Sequence, residues 1–252
     1  APWIVPDAYF KMYPPASVEL PPLPPSSQHV VPVRGRRVFN GVPKASGRDA
    51  LAAYYAAVTF MDAQLGLILD AMDQLHLWDR TVVVFLSDNG VHMGEHGLWG
   101  KMTLFEESAR VPLVFAGTGV ERPGVPTSCL AELVDIYPTL LELCRLPDVE
   151  GLDGTSLVPL LEDPSRAVKT AAFTMRKVGA TRRRELAESI RTARYRCTEW
   201  PRGFVELYDE EQDPHELHNL SGETAERETL EELKHRLEEH SATLLPPVAP
   251  GE

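Results

Sequence analysis

Between Phe85 and Met102 the chain reads FLSDNGVHMGEHGLWGKM, a run that packs metal-capable and anion-capable side chains between four glycines. Asp88 and Asn89 offer adjacent hard oxygen donors, which suit Ca2+ or Mg2+ better than soft metals. Alone, Ser-Asp-Asn-Gly is also a good turn sequence, and in unrelated proteins that is its commoner role. His92 and His96 stand four residues apart, a spacing that binds zinc when both lie on a helix. Gly94 and Gly97 argue against a regular helix here. Glu95 either reads a bound molecule or holds the loop. Lys101 closes the run with a compact ammonium suited to one anionic oxygen, or simply to a solvated surface.

The flanking sequence must position these groups. Leu51, Tyr54, Tyr55, Val58, Met61, Leu65, Ile68, Leu69, Met72 and Leu75 recur at helical spacing, predicting a long helix over about 47–75, with Gly66 its weak position. Thr81 to Leu86 is a short, wholly apolar run, the pattern of a strand buried on both faces in a parallel sheet. Helix, apolar strand and glycine-rich polar loop form an α/β order, in which ligands bind beyond the carboxyl ends of the strands. Asp88 and Asn89 stand at that position. Val111 to Gly117 predicts a second strand, and about 131–146 a helix with Pro138 at a kink or in the first turn.

Short β-rich runs then follow, and a charged helix carrying an apolar stripe at Leu230, Leu233, Leu237 and Leu244 lies near the end. The expected architecture is therefore α/β: part of a mixed, mostly parallel sheet flanked by helices over 1–163, and a small antiparallel-sheet-and-helix subdomain over 164–252. Residues 1–49 are rich in proline and are expected to lie over the body as an irregular arm without regular secondary structure. Its basic residues Arg34, Arg36, Arg37, Lys44 and Arg48 suit an anionic sugar as well as they suit solvent.

Composition narrows the partners. The 252 residues carry a formal net charge of -12, which argues against nucleic acid or an anionic membrane surface as the main partner. No stretch reads as the roughly 20 consecutive apolar residues of a membrane span, and the first residues lack the features of a signal peptide. Cys129, Cys144 and Cys197 fit no metal spacing and are expected to be small buried hydrophobes.

Taken jointly, SDNGVHMGEHGLWGKMTLFEESARVPLVF resembles the second signature region of the type I sulfatases, within the alkaline phosphatase superfamily. PWIVPDAYFKMYPP resembles the arm of the iduronate-2-sulfatase and choline-sulfatase branch, and YYAAVTFMDAQLGLILDAMDQL the helix before the metal strand. SIRTARYRCTEW and ELYDEEQDPHELHNL resemble the C-terminal subdomain, so the likeness runs through nearly the whole chain. It implies that Asp88 and Asn89 are metal ligands, usually for Ca2+ with Mg2+ as an alternative, and that Lys101 contacts a sulfate oxygen. It places His92 and His96 in the same loop as candidate catalytic groups and Glu95 as a candidate substrate contact. Arg110 is expected to be structural, pairing with Glu106 or Glu107. The substrate implied is a sulfated small molecule or sugar, and the setting periplasmic, extracellular or lysosomal.

The same resemblance implies a formylglycine nucleophile, made from Cys or Ser within C-x-P-x-R or S-x-P-x-R. Neither motif occurs in the 252 residues. The expectation is a C-terminal half that supplies one wall of a sulfate-ester site, inactive alone. The nucleophile and the remaining metal ligands would come from a missing N-terminal half. A phosphonate or phosphate-ester hydrolase of the same superfamily, and a non-catalytic sulfatase-like remnant, are the alternatives.

Overall fold

The computed structural model describes residues 3–22, 46–178 and 186–244. Of the basic arm residues only Arg48 lies within these bounds; Arg34, Arg36, Arg37 and Lys44 lie outside the described residues. Within its described stretch, residues 3–22, the arm has more regular structure than its proline content predicts. It forms a short helix, α1 (Asp7–Phe10), and a 3-10 turn at Pro15–Ser17. Prolines precede both elements or open them, where a missing N–H costs nothing.

The long helix α2 (Gly47–Gln74) matches its sequence pattern closely. Its end is set by His76, whose φ is 50°. This left-handed residue lets the Leu77 N–H reach back to the Met72 carbonyl at 3.0 Å, closing the last turn. The buried face of α2 is narrow. Leu51 and Ala52 pack with Val18 of the arm and Met93 of the polar loop, with Trp3, Tyr13, Tyr54, Val91 and Trp99 around them. Tyr13 adds a 2.6 Å hydrogen bond with the Thr59 hydroxyl. The arm is thereby wedged between helix and loop. Elsewhere α2 is open: Tyr55, Val58, Met61, Leu67 and Ile68 are exposed. By length and composition alone, α2 is apolar enough to cross a membrane, which amends the expectation that no stretch qualifies.

The two apolar runs form β1 (Val82–Leu86) and, later in the chain, β4 (Leu113–Gly117). They pair antiparallel, from Val82 opposite Gly117 to Leu86 opposite Leu113. Among the described residues every strand pairing is antiparallel, so the expected mostly parallel sheet is not present there. The reason is physical: an apolar run on both faces reports burial on both faces, not strand direction. The burial itself is incomplete, since Leu86 and Val114 are exposed. Between these strands lie β2 (His92–Met93), β3 (Trp99–Gly100) and the short helix α3 (Glu106–Ala109). Helix α4 (Ile136–Leu143) follows, with Pro138 in its first turn, and then α5 (Val158–Glu162).

The C-terminal part is a four-stranded meander of β5 (Ala172–Lys177), β6 (Leu186–Arg191), β7 (Tyr195–Trp200) and β8 (Phe204–Asp209), paired in chain order. It buries both faces, and the two-residue period of a strand sorts its side chains between them. Ile190, Cys197 and Leu207 pack with Ala171 against Leu233 and Leu237 of α6 (Arg227–Leu244). On the other face Ala187, Trp200 and Tyr208 pack with Val178 against Leu98, Leu104 and Phe105 of the polar loop. The loop that carries the candidate site residues is thus held on one side by the arm and α2, and on the other by the meander. The cysteines divide: Cys197 is buried, with its thiol pushed up to about 12 chiefly by burial, Cys129 is half-buried and Cys144 exposed. The expectation of three buried cysteines is met only at Cys197.

Candidate active site

The site begins where β1 ends. The Ser87 hydroxyl donates to the Asn89 carbonyl at 2.8 Å, and the Gly90 N–H donates to the Ser108 carbonyl at 2.9 Å. At Gly90 the backbones approach so closely that a Cβ would lie 2.1 Å from the Glu107 carbonyl oxygen. Only glycine fits there, and its lack of a side chain lets the strand end dock against α3. The chain then turns through the β2–β3 hairpin, with His92 opposite Gly100 and Met93 opposite Trp99. Left-handed backbone at Gly94, His96, Gly97 and Gly100 makes the turn possible. This explains the glycine spacing and why His92 and His96 do not share a helix face. Glu95 holds this turn: its Oε2 accepts the Met93 N–H at 2.6 Å.

Lys101 follows β3 and reaches back to the strand end. Its Nζ donates to Asn89 Oδ1 at 2.7 Å and lies 3.8 Å from Asp88 Oδ2. The Asp88 carboxylate is 84% exposed and the Lys101 side chain about half exposed. Two hard oxygens therefore converge on one positive charge at the rim of the loop. This donor set fits a hard divalent cation in kind, supplying two of the roughly six to eight oxygens that Ca2+ takes. The Lys101 ammonium, standing within reach of both, also fits one oxygen of an anion bound beside such a cation.

The two histidines lie elsewhere in the loop. His92 is fully buried, and its Nε2 shares a 2.7 Å hydrogen bond with Thr103 Oγ1, which in turn donates to Ser108 Oγ at 2.7 Å. His96 is 6% exposed and stacks on Phe105 with ring centroids 4.1 Å apart. Its Nε2 faces Glu107 Oε2 at 3.8 Å. Burial pushes His92 down to about 3, helped by the neighbouring His96, and pushes His96 down to about 4. Both rings are therefore neutral at physiological pH. Burial also pushes the Glu107 carboxyl up to about 7.

Beneath them lies a group of charges that the sequence did not single out. Glu216 is fully buried; its Oε2 accepts the Glu106 N–H at 2.7 Å, and its Oε1 lies 2.7 Å from Arg196 Nε. Arg196 also pairs with Glu106 and, at 3.5 Å, with Glu210, and Arg191 lies within 3.5 Å of Glu106 and Glu210. The expected partnership of Arg110 with Glu106 exists only loosely, at 4.0 Å with Arg110 exposed. The signal for this network lay in DPHEL and RYRC, runs 90 to 110 positions from Glu106, which no local pattern connects to it.

A family model described as Sulfatase matches residues 6–146, and one described as N-sulphoglucosamine sulphohydrolase, C-terminal, matches residues 94–243. A choline-sulfatase of Rhizobium meliloti is 35% identical over 71% of this chain and 35% of its own length. A sulfatase of Formosa agariphila is 29% identical over 96% of this chain and 48% of its own length. Arylsulfatase K of Gallus gallus is 33% identical over 71% of this chain and 35% of its own. The chain thus spans about a third to a half of the length of these relatives. Among solved structures, the phosphonate monoester hydrolase of Agrobacterium radiobacter superposes with a TM-score of 0.80 at 25% identity, over 97% of this chain and 55% of that one. A structure in complex with its substrate D-glucosamine-2-N,6-O-disulfate superposes with a TM-score of 0.72 at 26% identity, over 79% of this chain and 41% of that one. With family models matching more than half of its residues, this chain belongs to the sulfatase family.

Proposed function

We propose that these 252 residues supply one wall of a sulfuric ester hydrolase site. Asp88 and Asn89 are the cation ligands and Lys101 is the contact to a sulfate oxygen. The observation that carries this reading is the convergence of Asp88 Oδ2 and Asn89 Oδ1 on Lys101 Nζ at the end of β1, in a chain of the sulfatase family. A divalent cation held there, Ca2+ or Mg2+, supplies Lewis-acid polarisation of the transferred group. Lys101 adds a fixed positive charge where negative charge builds on the sulfate oxygens. His92, His96 and Glu95 belong to the site by holding the loop that presents Lys101. We take them as positioning residues: two are buried and neutral, and the third is bonded to the Met93 N–H.

The substrate class we propose is a sulfated sugar or small sulfate monoester, supported by the sulfated glucosamine held by the structural relative. Formylglycine motifs are absent from the 252 residues, so the attacking group and the other cation ligands are proposed to come from a segment outside them. The isolated chain is then inactive toward aryl sulfates. The test is to assay p-nitrophenyl sulfate with the purified chain. Turnover by the purified chain would overturn the placement of the attacking group outside these residues. A phosphonate monoester hydrolase is the second reading, favoured by the extent of superposition on the Agrobacterium enzyme. Sulfates and phosphonates present similar tetrahedral oxyanions to a cation and a lysine. Comparing phenyl sulfate with a phenylphosphonate monoester in a longer chain that carries the nucleophile separates the two.

A further inference from the structure

We propose that His96, Glu107 and Glu216 form a second cation site, buried between the polar loop and the C-terminal meander, for a divalent ion of the Zn2+ or Mn2+ type. Each residue offers one ligand atom, and these atoms lie within 4.8 Å of one another. The three come from three elements: the β2–β3 turn, α3, and the turn after β8. An ion there would tie together parts of the chain more than 100 positions apart.

Three observations favour a ligand over a merely packed cluster. First, His96 is 6% exposed, and neither of its ring nitrogens has a hydrogen-bond partner. A buried imidazole left unpaired loses solvation without compensation. Its ring is fixed by the stack on Phe105, with Nε2 turned toward Glu107. Second, Glu107 Oε2 is buried and likewise has no hydrogen-bond partner. Third, four carboxyl groups (Glu106, Glu107, Glu210 and Glu216) surround two guanidiniums, Arg191 and Arg196. The carboxyls outnumber the guanidiniums, an excess that a divalent cation would offset where buried unpaired charge is costly.

Glu216 already accepts from the Glu106 N–H and pairs with Arg196, but a carboxylate has about four lone-pair sites and can bridge. Closing the three atoms onto one ion needs the widest pair to draw in by up to about 1.4 Å from the 4.8 Å limit, because ligands about 2.1 Å from a metal stand roughly 3.4 Å apart. One imidazole with two carboxylates suits Zn2+ or Mn2+ better than Ca2+, which prefers oxygen alone. The site is distinct from Asp88 and Asn89, and none of its three residues reaches Lys101.

The test uses the untagged 252-residue chain, loaded with Zn2+, desalted and analysed for bound metal. One equivalent is expected to remain. It should remain in Asp88→Ala and fall at least tenfold in affinity in Glu107→Gln. X-ray absorption of the bound zinc should show a single imidazole among oxygen ligands, a readout that needs no variant and so survives any misfolding of Glu107→Gln. Loss of zinc in Asp88→Ala, full retention in folded Glu107→Gln, zero or several imidazoles, or no zinc retained by the wild-type chain would each overturn the proposal.

Discussion

Lys101 is the residue on which the proposed chemistry turns. In a chain joined to the segment proposed to bear the nucleophile, Lys101→Ala is expected to lower kcat/KM for a sulfate ester by about 10²–10³, the usual cost of removing one preorganised group that stabilises developing charge. Lys101→Arg should recover only part of this, because a planar fork does not replace a point charge. Steady-state kinetics on the paired variants checks both.

Glu206 gives a prediction of a different kind. Its carboxyl is buried on the loop-facing side of the meander, accepting from the Trp200 indole N–H and bonding the Tyr208 hydroxyl, and burial pushes it up to about 7. A carboxyl raised in the folded state binds more protons there than in the unfolded chain. Its stabilising contribution is full below about 4.5 and is lost as pH rises to about 7. Glu206→Gln keeps the shape without the charge, so the variant should gain about 3 kcal/mol on the wild type between pH 4.5 and 8 at most. His92 and His96, held neutral, act in the opposite direction and weaken the fold as pH falls below about 6.5. Denaturant melts of variant minus wild type isolate Glu206 from them. That Asp88, Asn89 and Lys101 lie close together was legible at this scale because they sit within one short run. The closeness of Glu107, Glu216 and Arg196 was not, since only the folded chain brings them together.

Among the elements, the loop between β1 and β4 depends on one close backbone approach. Gly90→Ala places a Cβ 2.1 Å from the Glu107 carbonyl, so the strand end must move away from α3. The expected loss is about 2–4 kcal/mol, read as a lowered midpoint of thermal unfolding together with loss of Ca2+ response. Helices were well foretold: α2 and α6 announce themselves by apolar residues at helical spacing, and α6 buries Leu233 and Leu237 of its stripe as expected. Strand existence was equally legible, but strand partners were not. The run Val82–Leu86 says nothing of its neighbour, and its antiparallel pairing with Leu113–Gly117 follows from a connection that no periodicity encodes. The arm was misjudged for a related reason. Proline forbids helix interiors but not helix starts, and Asp7–Phe10 uses that allowance.

At the scale of the molecule, α2 and the β1–β4 pair leave apolar surface open. Leu67 and Ile68 are each at least 60% exposed, and Val114 about half. Exposed apolar surface of this kind favours association. The isolated chain should self-associate at tens of micromolar, and Leu67→Glu with Ile68→Glu should shift it toward monomer in sedimentation velocity; a chain that is monomeric throughout would contradict this. Its cation affinity at Asp88 and Asn89 should also be weak, because a site with few charged ligands falls in the range of about 10⁻⁴–10⁻³ M or weaker.

The most direct test of the central claim is aryl-sulfate hydrolysis by this chain joined to the N-terminal segment of a relative such as the Rhizobium choline-sulfatase, the segment proposed to bear the attacking group. The wild-type chain should restore hydrolysis, with Asp88→Ala and Lys101→Ala each lowering it by about a hundredfold or more. Hydrolysis that proceeds equally fast with both substitutions would show that this wall of the site lies elsewhere.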